Sequence, residues 1–332
     1  MTRSGLRRPP AVARVLAKLT ETVRRYEMFE PGTAVLVAVS GGPDSVCLLH
    51  ALVRGRRLLR IEPAAFHFDH RLSEGSERHA AYVRSQAERL GVPFVLRRAR
   101  TAPARGESVE AWARTARYAA MADARAETGA ERAAVGHTAD DQAETVLLAL
   151  LRGGGLDAVA AIRPVTGTVV RPLLEVRRRE TVAFCRSLGL RPRHDPMNDD
   201  PAFMRVAVRT RVIPQLEAAV GRSVTEALAR TAGLLQEDAG LLDALADQAE
   251  ATVFADDGRT ALAADVLLAL PRPLASRVVV RAIRSLGGSP DAAHVDAVLA
   301  LAAKPPGRRA SLPGGLAARR EREYVRLSPP GG

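Results

Sequence analysis

Between residue 33 and about residue 190, short apolar runs alternate with longer amphipathic ones, and this restricts the fold more than any other feature of the chain. "TAVLVAVS" (33–40), "AAFHFDH" (64–70), "PFVLRRA" (93–99) and "RAAVGH" (132–137) have the length and β-branched content of buried strands. Each is followed by a helical pattern: a run to about Arg57, then "SERHAAYVRSQAERLG", "GESVEAWARTARYAAMADARAETG" and "ADDQAETVLLALLRGG". Val12, Val15, Leu16, Leu19 and Val23 predict a leading amphipathic helix, and "TVVRPLL" a fifth strand before the helix "RRRETVAFCRSLG". Repeated strand–helix units predict an α/β fold, a doubly wound parallel sheet with helices on both faces.

Beyond "LRPRHDPMNDDP" (190–201) the pattern turns helical and alanine-rich, and "GRRASLPGGLAARREREYVRLSP" reads as a hairpin turning at Pro313-Gly314-Gly315. The expected organisation is a catalytic domain over 1–215 and a second, mostly helical domain over 216–332. A chain of 332 residues accommodates two domains.

Lys+Arg number 49 against 37 Asp+Glu, a net charge of +12. Lys18 and Lys304 are the only lysines, so the excess is arginine, which fits either an arginine-rich genome or a polyanionic partner such as nucleic acid. No apolar run approaches the roughly 18 residues needed to span a membrane, and the basic N-terminus leads into no apolar segment. The sequence predicts a cytoplasmic protein without a membrane partner. Its two cysteines, Cys47 and Cys185, both lie on apolar helix stripes, which excludes a disulfide framework or cysteine metal cluster.

In an open α/β sheet, ligands bind beyond the carboxyl ends of the strands. Polar clusters stand at three of those ends: Ser40 to Ser45, His67 to Arg71, and His137 to Glu144. At the first, Gly41 and Gly42 admit an anion to the backbone N–H groups, the next helix adds its positive dipole, and Ser40 and Ser45 add hydroxyls. The segment lacks both the lysine of a Walker loop and the three glycines of a dinucleotide loop. Asp44 would repel a bare phosphate but could bridge to pyrophosphate through Mg²⁺. Taken alone, a glycine turn whose Asp and Ser cap the helix would look the same.

Ser40-Gly41-Gly42-Pro43-Asp44-Ser45 resembles the SGGxDS loop of the PP-loop ATP pyrophosphatases, which cleave ATP to AMP and pyrophosphate. "HFDHRL", "EAWARTARY", "GHTADDQAETVLLALLRGGGL", "RPLL" and "DPMNDDPAFMRVAVR" then follow in the order seen in the tRNA(Ile)-lysidine synthase family, over roughly residues 30–215. The resemblance implies a PP-loop, adenine nucleotide α-hydrolase-like domain that uses ATP and Mg²⁺. It implies that the wobble cytidine of the CAU-anticodon isoleucine tRNA is adenylated at its C2 oxygen. The side-chain amine of L-lysine would then displace AMP to give lysidine.

By the same resemblance the loop residues Ser40, Gly41, Gly42, Pro43, Asp44 and Ser45 bind ATP, with His70 and Arg71 nearby. His137, Asp140 and Glu144 belong to the active site. Asp140 and Glu144 stand four apart on one helix face, a like-charge spacing that favours a bound cation, Mg²⁺ or the lysine ammonium. His137 could contact phosphate or base, or simply pack. Asp44 and Asp140 are the candidate Mg²⁺ ligands. Arg114 and Arg117, three apart on one helix, could neutralise phosphate charge. Asn198 and Arg205 would serve the base or its adenylated form, and Val206 stands where the family commonly carries an asparagine.

A tRNA thiolase on the same loop is the main competitor; it needs a reactive cysteine or an iron–sulfur site. A non-catalytic tRNA-binding protein is the second, opposed by the intact Asp44, Asp140 and Glu144. The oligomeric state is left open, a homodimer included.

Overall fold

The computed structural model describes residues 8–72, 75–106, 108–193, 204–255 and 259–329. Two compact units are present, Met1–Leu234 and Leu235–Gly332.

The first unit is built on a six-stranded sheet of order β3-β2-β1-β4-β6-β5. Its strands are β1 (Ala34–Ala38), β2 (Glu62–Asp69), β3 (Phe94–Arg98), β4 (Arg132–Ala134), β5 (Val165–Thr166) and β6 (Val169–Val170). All pair in parallel except β5, which runs antiparallel to β6 at the edge. The predicted fifth strand is therefore a short hairpin whose second arm, Val169–Val170, extends the parallel sheet.

Alternation along β1 makes two cores. Val35 and Val37 pack with the helices α1 (Pro10–Arg25), α2 (Pro43–Leu59) and α7 (Arg178–Ser187). Leu36 points to the other face, where Phe66, Met121 and Ala124 close a second cluster beneath α4 (Val109–Thr128). Helices α3 (Ser76–Leu90), α5 (Ala139–Leu151) and α6 (Leu156–Val159) complete the sandwich. Burial on both faces explains why the strand sequences are continuously apolar. Because β1 has β2 on one side and β4 on the other, its crossovers diverge, and the crevice they leave opens above β1 and β4.

Two glycines shape that crevice. Gly41 adopts φ 99°, a left-handed conformation that side chains disfavour. At Gly136, just beyond β4, a Cβ would stand 3.2 Å from both Cα and N of Ser45, so only glycine lets the β4 end approach α2 so closely.

After residue 203 the chain forms α8 (Met204–Ala207), a π-helical turn (Val208–Val212), α9 (Ile213–Val220) and α10 (Val224–Val253). Pro214 has no N–H for the Thr210 carbonyl and its ring presses on it; the turn widens, and Ile213 N–H donates to Val208 O.

The second unit carries β7 (Ala261–Ala263), α11 (Ala264–Ala269), α12 (Arg272–Ser285), α13 (Ala292–Ala302), β8 (Arg309–Ser311), β9 (Ala317–Arg320) and β10 (Tyr324–Ser328). The predicted hairpin is present, with β8 and β9 joined through Pro313–Gly315. It is half of a four-stranded antiparallel sheet, β7-β10-β9-β8, which accompanies the helices that the sequence predicts. Val278, Val279, Ile283, Val298 and Val325 form its core with the helices. The strands are short and rich in alanine and arginine, and β7 pairs with β10 across about sixty residues, which no local pattern announces.

Candidate active site

A cleft of about 460 Å³ lies at the carboxyl ends of β1, β2 and β4. Its floor is the segment between β1 and α2. Ser45 Oγ accepts from Ser40 N–H at 3.1 Å and donates to Gly42 O at 3.0 Å, closing the turn so that the first N–H groups of α2 face outward. Pro43 takes the first position of the helix, where a missing N–H costs nothing. Ser40, Gly42 and Ser45 line the cleft, with His70 from the end of β2, Arg114 and Arg117 from α4, and His137, Asp141 and Glu144 from the β4–α5 corner.

The side wall is an ion network organised by Arg178, the first residue of α7. Its Nε donates to Asp44 Oδ2 at 3.1 Å, its Nη2 to Asp141 Oδ1 at 2.9 Å and its Nη1 to Glu144 Oε1 at 3.2 Å. Thr181 Oγ1 donates to the other oxygen of Asp44. Arg205 closes the network from the opposite side, its Nε 2.8 Å from Glu144 Oε2 and its Nη2 3.5 Å from Asp141 Oδ1. Asp141 also holds the start of α5, accepting from the N–H and the hydroxyl of Thr138, both at 2.8 Å.

Burial and charge shift these groups in different directions. Burial, reinforced by the Asp141 charge, raises Asp44 to about 6 despite Arg178. Glu144 is raised by the same two causes. Asp141 is pushed up by burial but lowered overall by Arg178, His137 and Arg205. Burial lowers His137 to about 4, with Arg171, Arg205 and Arg114 adding to the effect, so it is neutral at pH 7. Arg171 Nε donates to its Nδ1 at 3.3 Å, which leaves Nε2 as the proton-bearing nitrogen.

Asp140 stands apart from the cleft lining. Its Oδ2 accepts from Arg178 N–H at 2.7 Å and Arg177 Nε at 3.2 Å, and its Oδ1 from Arg177 Nη2 at 3.4 Å. It fixes α7 to α5, and Asp141 is the acid of that pair facing the cleft. Arg71 is not among the lining residues either; at φ 56° it turns the chain, its N–H on Asp69 Oδ1 at 2.9 Å. Asn198 lies outside the described residues. Among the described residues no group of three or more His, Cys, Asp or Glu side chains is placed to hold a metal ion.

A PP-loop domain model matches residues 11–216, and a TilS substrate binding domain model matches residues 262–326. A tRNA(Ile)-lysidine synthase of Thermobifida fusca is 41% identical over 96% of this chain and 98% of its own. The chain belongs to the tRNA(Ile)-lysidine synthase family. A second tRNA(Ile)-lysidine synthase, from Leifsonia xyli, is 43% identical over 82% of this chain and 83% of its own. Among solved structures, the U34-tRNA thiolase NcsA of Methanococcus maripaludis, with its [4Fe-4S] cluster, superposes with a TM-score of 0.57 at 16% identity. That likeness covers 68% of this chain and 80% of the thiolase, and it concerns the fold.

Neither cysteine is placed for the sulfur chemistry of a thiolase. Cys47 and Cys185 are fully buried, and burial raises both thiols, Cys185 to about 12 and Cys47 further. One residue of the site is invisible to spacing arguments. Arg178 sits in "RRRE", where three adjacent arginines look alike until α7 sends one inward, Arg177 beside it and Arg179 to solvent. Asp141 did carry a signal: Thr138-x-x-Asp141 is a capping-box spacing.

Proposed function

We propose that the cleft carries out both half-reactions of lysidine formation, and that its residues divide the work as follows. The chain is a tRNA(Ile)-lysidine synthase, an ATP-dependent ligase whose PP-loop domain binds ATP. In the first step the C2 oxygen of the wobble cytidine attacks the α-phosphorus, and the bond to the β-phosphate breaks, releasing pyrophosphate. In the second, the lysine Nε attacks C2, loses a proton and expels AMP.

The glycine loop and the N-terminus of α2 receive the departing pyrophosphate, because backbone N–H groups and the helix dipole meet negative charge there without reorganising. Arg114 and Arg117 carry positive charge on the opposite wall, where the α-phosphate and the base must meet. Neutral His137 can donate a hydrogen bond from Nε2 to a phosphate or base oxygen. Asp141 and Glu144 line the cleft and share Arg205, so they are assigned to the α-ammonium of lysine, which would take over contacts now made by that arginine.

Mg²⁺ belongs to the same reading. Asp44 fits it: a single carboxylate beside an anion-binding loop is what Mg²⁺ uses together with substrate phosphates. Either acid would have to release its present partners to take the ion, Asp44 those from Arg178 and Thr181 and Asp140 those from Arg177 and the Arg178 N–H; of the two, only Asp44 belongs to the loop. When bound, the ion would neutralise polyphosphate charge.

The catalytic part is assigned to 1–215 and the tRNA-binding part to 216–332; the exposed Arg308, Arg309 and Arg319 are candidates for phosphate contacts. Among the described residues no helix is long and apolar enough to cross a membrane. A cytoplasmic site of action follows from a tRNA substrate, and light scattering of the full chain would report a homodimer.

The observation that carries this reading is the convergence of the glycine loop, Asp141, Glu144, Arg114, Arg117, Arg178 and Arg205 on one cleft in a chain of this family. Incubation with ATP, Mg²⁺, lysine and the CAU isoleucine tRNA should leave the wobble cytidine heavier by lysine minus water, measured by mass spectrometry of the digest. The CAU methionine tRNA should stay unmodified. A sulfur-for-oxygen shift, or none, would refute it.

A further inference from the structure

A second cavity, of about 770 Å³, lies in the first unit between α3 and the chain leaving α7. Arg78, Arg89, Arg191 and Arg193 line it together with Tyr82 and Gln86, and among the described residues the lining contains no acid. Among the described residues none of the four arginines makes an ion pair with Asp or Glu. Four exposed arginines around one cavity give it a positive potential that favours an anion.

Three further observations point to a phosphate ligand from the neighbouring cleft. Arg193 lines both cavities. Its N–H donates to Gly41 O at 2.9 Å, which ties the rim of this cavity to the glycine loop. Its guanidinium lies 5.6 Å from the centre of the Tyr82 ring. Gln86 adds a polar side chain that is 3% exposed, with Oε1 on His50.

We propose that this pocket is a second anion site, taking the inorganic pyrophosphate released at the glycine loop on its way to solvent. The proposal rests on the assignment of that loop to pyrophosphate. A compact ligand with several phosphate oxygens matches four guanidiniums arranged around one cavity. A site of this kind draws the product away from the bond just broken and so opposes reversal of adenylation.

The test uses the full chain with its cleft saturated by a non-hydrolysable ATP analogue, titrated calorimetrically with inorganic pyrophosphate. One pyrophosphate should still bind per chain. In the variant Arg78→Ala/Arg89→Ala/Arg191→Ala that binding should weaken at least about tenfold, while analogue affinity changes less than about twofold. A variant with two charges removed elsewhere, Arg56→Ala/Arg57→Ala at the far end of α2, should bind pyrophosphate like the wild type, which separates the pocket from the overall field. Circular dichroism and the melting temperature check that the variants fold.

Absence of pyrophosphate binding once the cleft is filled would overturn the proposal, as would an unchanged constant in the triple variant. If that variant instead binds tRNA more weakly and with a shallower salt dependence, pyrophosphate binding being unaltered, the pocket takes the RNA backbone and the proposal fails. Failure of the ATP analogue to bind at all would count against the glycine-loop assignment; pyrophosphate stoichiometry would still decide the pocket.

Discussion

Replacing Arg178 by alanine removes the one side chain that touches Asp44, Asp141 and Glu144 together. The three carboxylates are 20%, 13% and 1% exposed, so water does little to replace the lost charge. Removing one partner of a buried ion pair typically costs about 3–5 kcal/mol. Arg205 still serves Asp141 and Glu144, which places the expected loss near the lower end, about 3 kcal/mol at pH 7.5. Trp112, the only tryptophan, is buried in α4, so its fluorescence during urea unfolding reports the first unit alone.

The loss should depend on pH. Arg178 lowers the proton affinity of all three acids, so its removal raises their folded pKa values. The folded variant then binds more protons than the unfolded chain at pH 5.5, and its stability recovers as pH falls. The difference from wild type should narrow by 1 kcal/mol or more, by the order of one pKa unit, between pH 7.5 and 5.5. Arg178→Lys should fall between the two, because one ammonium cannot reach three carboxylates along the directions a guanidinium uses. A loss below about 1 kcal/mol, or one independent of pH, would refute the counter-charge role.

Asp44→Asn should abolish pyrophosphate release from ATP while shifting the melting temperature by no more than a few degrees; AMP formation near the wild-type rate would show the loop to be misassigned. His137 is lowered from 6.5 to about 4, so the unfolded chain binds the extra proton first and stability is lost as pH falls from about 6.5 to 4. His137→Gln should remove up to roughly 3 kcal/mol of that slope in urea titrations, and an unchanged slope would count against a buried neutral imidazole. In the second unit, Arg309 and Arg319 stand directly opposite each other in β8 and β9, a like-charge pairing that a polyanion would relieve. Arg308→Glu/Arg309→Glu/Arg319→Glu should weaken tRNA binding and lower its log–log salt slope by about 2–3, with ATP binding intact. Arg320 is kept, since its Nε and Nη1 donate to the Ala302 and Glu321 carbonyls and hold the sheet.

Much of the first unit is legible along the chain because its determinants are local. A doubly buried parallel strand needs a continuous apolar run, an amphipathic helix needs its 3.6-residue period, and Val35-Leu36-Val37 and Val12 to Val23 show both plainly. The glycine loop is equally local, because the same six residues close the turn through Ser45 and start α2 at Pro43. The second unit's sheet escaped notice because three- to five-residue strands acquire their meaning only from partners far along the chain, as Ala261–Ala263 does from Tyr324–Arg326.

The site divides in the same way. Sequence placed Asp44, His137 and Glu144 at strand ends, since every strand of such a sheet delivers its following loop to one edge. Which of Asp140 and Asp141 enters the cleft, and which of three consecutive arginines joins the carboxylates, was decided by how α7 docks beside α2 and α5. One helical step rotates a side chain by about 100°, so neighbours in sequence face different surroundings and only the packed structure assigns them.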